Sequence, residues 1–129
     1  MSFLSDFKTI IEADGSINAY VTGGIKFGHL PDDFDISKTW LVWDFKLNQQ
    51  FDTMNFNNSY SAYGVSITVS ANDSVVMNNL SDRVVDYLNG KSTSNFPDIH
   101  MVSDNKSIVL SKPYSTYQDQ LEFDTIYVG

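Results

Sequence analysis

Three features of this sequence predict an α+β fold, with a single antiparallel or mixed β-sheet packed by an N-terminal helix and one longer central helix. Residues 63–70 alternate strictly between apolar and small polar side chains. Residues 74–90, "SVVMNNLSDRVVDYLNG", place apolar side chains at helical spacing. The last residues, "QLEFDTIYV", return to the two-residue period of a strand. Strand period, helix period and strand period again, with no repeat and no linker, predict one α+β domain over residues 1–129.

The elements follow in order. Phe3, Leu4, Phe7, Ile10 and Ile11 share one helical face, with Ser2 as a start cap and Gly15 as a stop, so residues 3–13 are expected to form a short amphipathic helix. Ser16 begins another turn through Ile17, Tyr20 and Val21. Gly23 and Gly24 break it, "IKFGHL" gives a short first strand, and Pro31 ends that strand. After the acidic loop "PDDFDISK", residues 39–47 set Thr39, Leu41, Trp43, Phe45 and Leu47 against Trp40, Val42, Asp44 and Lys46 as a second strand.

The next segment, "NQQFDTMNFNNS", reads as a polar connection longer than a hairpin needs, yet it holds Phe51, Met54 and Phe56. In the strand that follows, Tyr63, Val65, Ile67 and Val69 face one way, and Gly64, Ser66, Thr68 and Ser70 the other. Asn72 or Asp73 caps the central helix, whose stripe of Val76, Met77, Leu80, Val84, Tyr87 and Leu88 is expected to lie across a sheet, and "NGK" ends it. "IHMVS" and "SIVLS" around "DNK" read as a hairpin. In the closing strand Leu121, Phe123, Thr125 and Tyr127 oppose Glu122, Asp124, Ile126 and Val128.

Composition narrows the function classes. The 129 residues are 42% hydrophobic and 14% aromatic, which is a folding composition. A compact chain of this length has a radius of gyration of about 14 Å and buries roughly two thirds of its surface. Sixteen acidic against eight basic side chains give a net charge of −8, and Arg83 is the one arginine, so tight nucleic-acid binding is not expected. With no cysteine there is neither a disulfide framework nor a thiolate zinc site. Asp6, Lys8 and Glu12 interrupt the apolar N-terminal run, so neither a signal peptide nor a membrane span is expected.

Chemical motifs are weak. Gly23 and Gly28 have the spacing of a phosphate-binding loop, but His29 and Leu30 stand where Lys and Ser or Thr would be needed, and turn glycines are the commoner explanation. His29 and His100, the two histidines, fall on separate expected strands with no His or Cys near either. Asp32, Asp33 and Asp35 offer hard oxygen ligands without the glycine and closing glutamate of a helix-loop-helix calcium site. No serine sits in a G-x-S-x-G elbow. Asp82 and Asp86, one turn apart with Arg83 near to soften their repulsion, read as a solvated face. No catalytic residue, metal ligand or cofactor is expected, and the chain reads as a non-enzyme. The alternative is a small ligand-binding or hydrolase domain using His29, His100 and Asp33.

The order of elements is the informative feature. "FKTIIEADGSINAYVTGGIKFGHLP", then an aromatic strand, a polar connection, "AYGVSITVSAND", the helix "SVVMNNLSDRVVDYLNG" and the final "LEFDTIYV" resemble the tail completion and tail terminator proteins of long-tailed bacteriophages. The resemblance covers roughly residues 3–90 and the closing strand. It implies a structural virion protein that forms a ring, usually of six identical subunits, at the head-tail junction. It also implies the tail tube protein and the head-tail connector proteins as partners, with DNA passing through the ring, and assembly in the host cytoplasm. Another neck or minor tail position in the same particle is the nearest alternative. Phe51, Met54, Phe56 and Phe34 are the candidate interface residues.

Overall fold

The computed structural model describes residues 2–30, 35, 37–52, 59–111 and 114–128; within these, the side chains of 49–52, 59, 109–111 and 114–115 lie outside the description. The elements are α1 (Phe3–Ile11), α2 (Gly15–Tyr20), β1 (Gly24–Phe27), β2 (Trp40–Asp52), β3 (Ser59–Ala71), α3 (Ser74–Leu88), β4 (Asp98–Ser111) and β5 (Tyr114–Val128). The fold is α+β, with one five-stranded mixed sheet in the order β1-β2-β3-β5-β4. β1 runs parallel to β2, and every other pairing is antiparallel.

Each helix starts on a side-chain oxygen that satisfies a free backbone N–H. Ser2 Oγ accepts from Ser5 N–H at 3.2 Å, Asp14 Oδ2 from Ile17 N–H at 3.1 Å, and Asp73 Oδ1 from Val75 N–H at 2.7 Å. Asp14 is therefore the cap that separates α1 from α2, and Gly15, expected to stop the first helix, opens the second. At Gly23, a Cβ would stand 2.4 Å from the Trp40 ring, so only glycine lets the chain pass over that indole.

All three helices pack on one face of the sheet. Leu41, Trp43, Val65, Ile67, Val69, Leu121, Phe123 and Tyr127 from the strands meet Phe3, Phe7, Ile11, Ile17, Leu80, Val84 and Leu88 from the helices. The inward sets of β3 and β5 are those the alternation predicts, and so is that of β2 up to Phe45, with Leu47 exposed and Trp40 of the opposite set buried. On α3 the buried stripe is Met77, Leu80, Ser81, Val84 and Leu88, with Val76 half-buried, so the helix is turned slightly from the expected face.

Two expectations are corrected. Where it is described, the polar connection after residue 47 is strand: β2 continues to Asp52 and β3 begins at Ser59, with a register shift between Leu47 and Gln49, and residues 53–58 lie outside the description. The "DNK" turn is strand too. β4 runs through it without reversing, because Asp104, Asn105 and Lys106 pair with Leu121, Gln120 and Asp119 of β5, and a bulge between Met101 and Ser103 takes up the register. Local polarity signalled turns, and the cross-strand partner overrode it.

Candidate functional site

The strand directions send the two long hairpins to opposite ends of the sheet. Tyr60 of β3 pairs with Val128, so the β2–β3 tip lies at the end where the described chain finishes. Ala71 pairs with Tyr117, and there β3 stops. β4 and β5 continue past it as a two-stranded arm to the pair Ser111 and Tyr114, about 10 Å further at 3.3–3.4 Å per residue. The face away from the helices is polar and open. It carries Asp44 and Lys46, Gly64, Ser66 and Thr68, Gln120, Glu122 and Asp124, and Asp98 and His100, around two shallow depressions of about 320 and 300 Å³.

The two histidines singled out for chemistry do not converge. His29 is exposed just after β1 and His100 is exposed on β4, the two opposite edges of the sheet, roughly 19 Å apart at the usual interstrand spacing. His100 Nδ1 sits 2.8 Å from Asp98 and its Nε2 3.9 Å from Asp124, so the two carboxylates flank the ring from opposite sides instead of meeting at one point a metal could occupy. Asp35 is turned inward on its own loop. It accepts from Ser37 N–H at 2.9 Å and Ser37 Oγ at 2.6 Å, which holds its carboxyl below the usual range. Asp32, Asp33, Phe34, Met54 and Phe56 lie outside the described residues. Phe51 is on β2, its backbone paired with Tyr60 and its side chain outside the description.

Arg83, expected to soften Asp86, reaches across to α2 instead. Its Nε and Nη2 donate to the two oxygens of Asp14 at 2.9 and 2.8 Å. That bidentate bond holds the Asp14 carboxyl below its ordinary value and ties α3 to the cap of α2. Tyr87 Oη donates to the Ile10 carbonyl at 2.8 Å, and Tyr127 Oη to Asp6 at 2.5 Å, so α1 is fastened to both α3 and β5. Burial, with the Asp6 carboxylate beside it, pushes the Tyr127 phenol up to about 12.

Sequence reading missed one cluster. Asp119 on β5 is 0% exposed beneath α3, and Lys106 of β4 donates to it at 3.1 Å and to Asp104 at 3.0 Å. Ser81 Oγ, also buried, stands close enough to lower the Asp119 pKa but donates to Met77 Sδ at 3.7 Å, and Asp119 Oδ1 is left without a partner. Burial first, and the neighbouring Asp104 next, push the Asp119 carboxyl upward. The hydrogen bond with Asp119 draws Asp104 downward, and the two carboxylates raise Lys106. The signal was available: carrying the β5 alternation back two residues from Leu121 puts Asp119 on the buried face.

No family model matches the chain, and no curated protein does. Among solved structures, the fold is similar to that of a chain in the virion of a native gene transfer agent (GTA) particle, with a TM-score of 0.62 and 13% identity. The match covers 95% of this chain and 91% of that one.

Proposed function

We propose that this chain is a structural virion protein, specifically a tail terminator or tail completion protein that forms a ring at the head-tail junction of a long-tailed bacteriophage. The observation that carries the reading is the fold shared, nearly end to end in both chains, with a component of a gene transfer agent virion. The two hairpins leaving opposite ends of one sheet support it as well. A subunit in a stack of rings needs contacts directed both up and down the axis, and such hairpins supply them. The product of the fold is then shape, repeated identically around an axis, and no catalytic step is required of it.

In this reading Phe51, Met54, Phe56 and Phe34 contact neighbouring copies, the tail tube protein or a connector. The acidic open face, with Asp44, Asp98, Glu122 and Asp124, lines a channel through which DNA passes without being held. Six copies of a chain of net charge −8 repel one another at low salt, and screening relieves this over a Debye length of about 8 Å at physiological ionic strength. The test is sedimentation across a salt series with negative-stain imaging and duplex filter binding. Rings that firm from low to moderate salt and leave DNA free are expected. Changing Phe51, Met54 and Phe56 to Ser should spare the fold and reduce ring formation. A monomer under every condition, or tight salt-sensitive duplex binding, overturns the ring and channel reading. The fold likeness favours the same particle as the home of a second reading, another neck or minor tail position, which imaging of labelled protein in intact particles distinguishes.

A further inference from the structure

The cluster at the root of the β4–β5 arm suggests a device that the proposed ring neither requires nor explains. Asp119 lies two residue pairs inside the point where the arm leaves the sheet, between the last β3 residues and the buried Met77 and Ser81 of α3. Two carboxylates, one ammonium and a buried oxygen without a partner meet there. Two ionised carboxylates cannot hydrogen-bond to each other, and burial shields Oδ1 from bulk solvent. A single proton on the pair removes both difficulties, since a protonated Asp119 donates to Asp104 while Lys106 balances the charge that remains.

We propose that Asp104 and Asp119 share one proton under Lys106 and so form a latch that holds the β4–β5 arm against α3, and that loss of this proton frees the arm. For an ionised Asp119 the one neutral donor nearby is the Ser81 hydroxyl, which the Met77 sulfur also takes, and further solvation requires the first turns of α3 and the root of the arm to separate. Among the described residues nothing else charged faces the pair. β3 presents Val69 and Ala71 there, and α3 presents Met77 and Ser81. The other charges of α3 are engaged or exposed: Asp73 caps the helix, Arg83 is held by Asp14, and Asp82 and Asp86 face solvent.

The sign follows from linkage. Asp119 is raised in the folded arm, so its contribution is fully present below the ordinary carboxylate value of about 3.9 and is lost as pH rises through the raised value. Asp104 is lowered, so its contribution is present above that ordinary value and fades as pH falls through the lowered one. The latch therefore holds best around the ordinary carboxylate value of about 3.9.

Hydrogen exchange of the whole chain, corrected for intrinsic rates, reads it directly. Arm amides 107–111 and 114–117 should lose protection as pH rises above about 4, by up to about tenfold per pH unit until a plateau, while the central β3 amides stay protected. Asp119→Asn keeps the shape and the hydrogen bond without a titrating proton, and its arm should be flat over the same range. Asp104→Asn, which removes the charge that helps raise Asp119, should bring the plateau to lower pH. A flat wild-type arm, an Asp119→Asn arm that still loses protection, or β3 amides that fall in parallel would each overturn the latch.

Discussion

Phe7 and Asp119 are both 0% exposed, and both lie between the helices and the same face of the same sheet. Around Phe7 three other rings pack. Phe3 stacks on it at 5.6 Å, Trp43 tilts against it at 5.1 Å, and Phe96 meets it edge-on at 5.7 Å, with Phe3 in turn edge-on to Tyr127 at 5.3 Å. Around Asp119 there are instead a lysine, a second carboxylate and a serine. The aromatic end is closed by α1, an element with an apolar face to bury. The charged end is where β3 stops and only the first turns of α3 remain above β5. With less apolar surface to cover it, that end is held by polar pairing, which is weaker and depends on pH.

The largest effect should come at the aromatic end. Phe7→Ala removes a ring touching three others and should cost about 3–5 kcal/mol in urea unfolding, a large part of the 5–15 kcal/mol typical of a whole domain. A loss below about 1 kcal/mol would show that α1 is not a working part of the core. Midway along the face, Leu80→Ala should cost about 2–5 kcal/mol, while Asn79→Ala on the exposed side of α3 should change stability by less than about 0.5 kcal/mol. Equal melting temperatures for the two would place α3 in the wrong rotation.

At the charged end the effects should be smaller and should depend on which partners are removed. Lys106→Met strips the ammonium from two carboxylates. Because Lys106 is 46% exposed, solvent screening trims the cost to about 1–2 kcal/mol at neutral pH. Changing Lys106 to Met, Asp104 to Asn and Asp119 to Leu together replaces the cluster by groups with no buried charge and should leave stability within about 1 kcal/mol of the wild type. If the triple variant is as damaged as Lys106→Met, the corner depends on shape in the same way as the aromatic end, and the contrast between them fails.

The same contrast governs how the sequence could be read. The inward sets of β3 and β5, that of β2 up to Phe45 and most of the α3 stripe were readable because apolar alternation is repeated many times within one element, and each repeat adds to the signal. The extra reach of β2 to Asp52, and the passage of β4 through Asp104, Asn105 and Lys106, were hidden. Those residues, Phe51 apart, are polar, and they become strand only through partners on β3 and β5. Arg83 was read with its neighbour in sequence, Asp86, and found its neighbour in space, Asp14, 69 residues away.

What the sequence determined alone is therefore what a few consecutive residues decide: that helices are capped by Ser2 and by Asn72 or Asp73, between which the structure chose Asp73, and which side of each strand is apolar. The tertiary structure decided what depends on pairing between distant segments. It put β5 between β3 and β4, set β1 parallel to β2, carried His29 and His100 to opposite edges, and enclosed Asp119. Helix period and capping are short-range, set by steric and hydrogen-bonding preferences within one or two turns. Strand partnership is settled by which packing of the whole buries the most apolar surface with the fewest unsatisfied polar groups, and no local window contains that comparison.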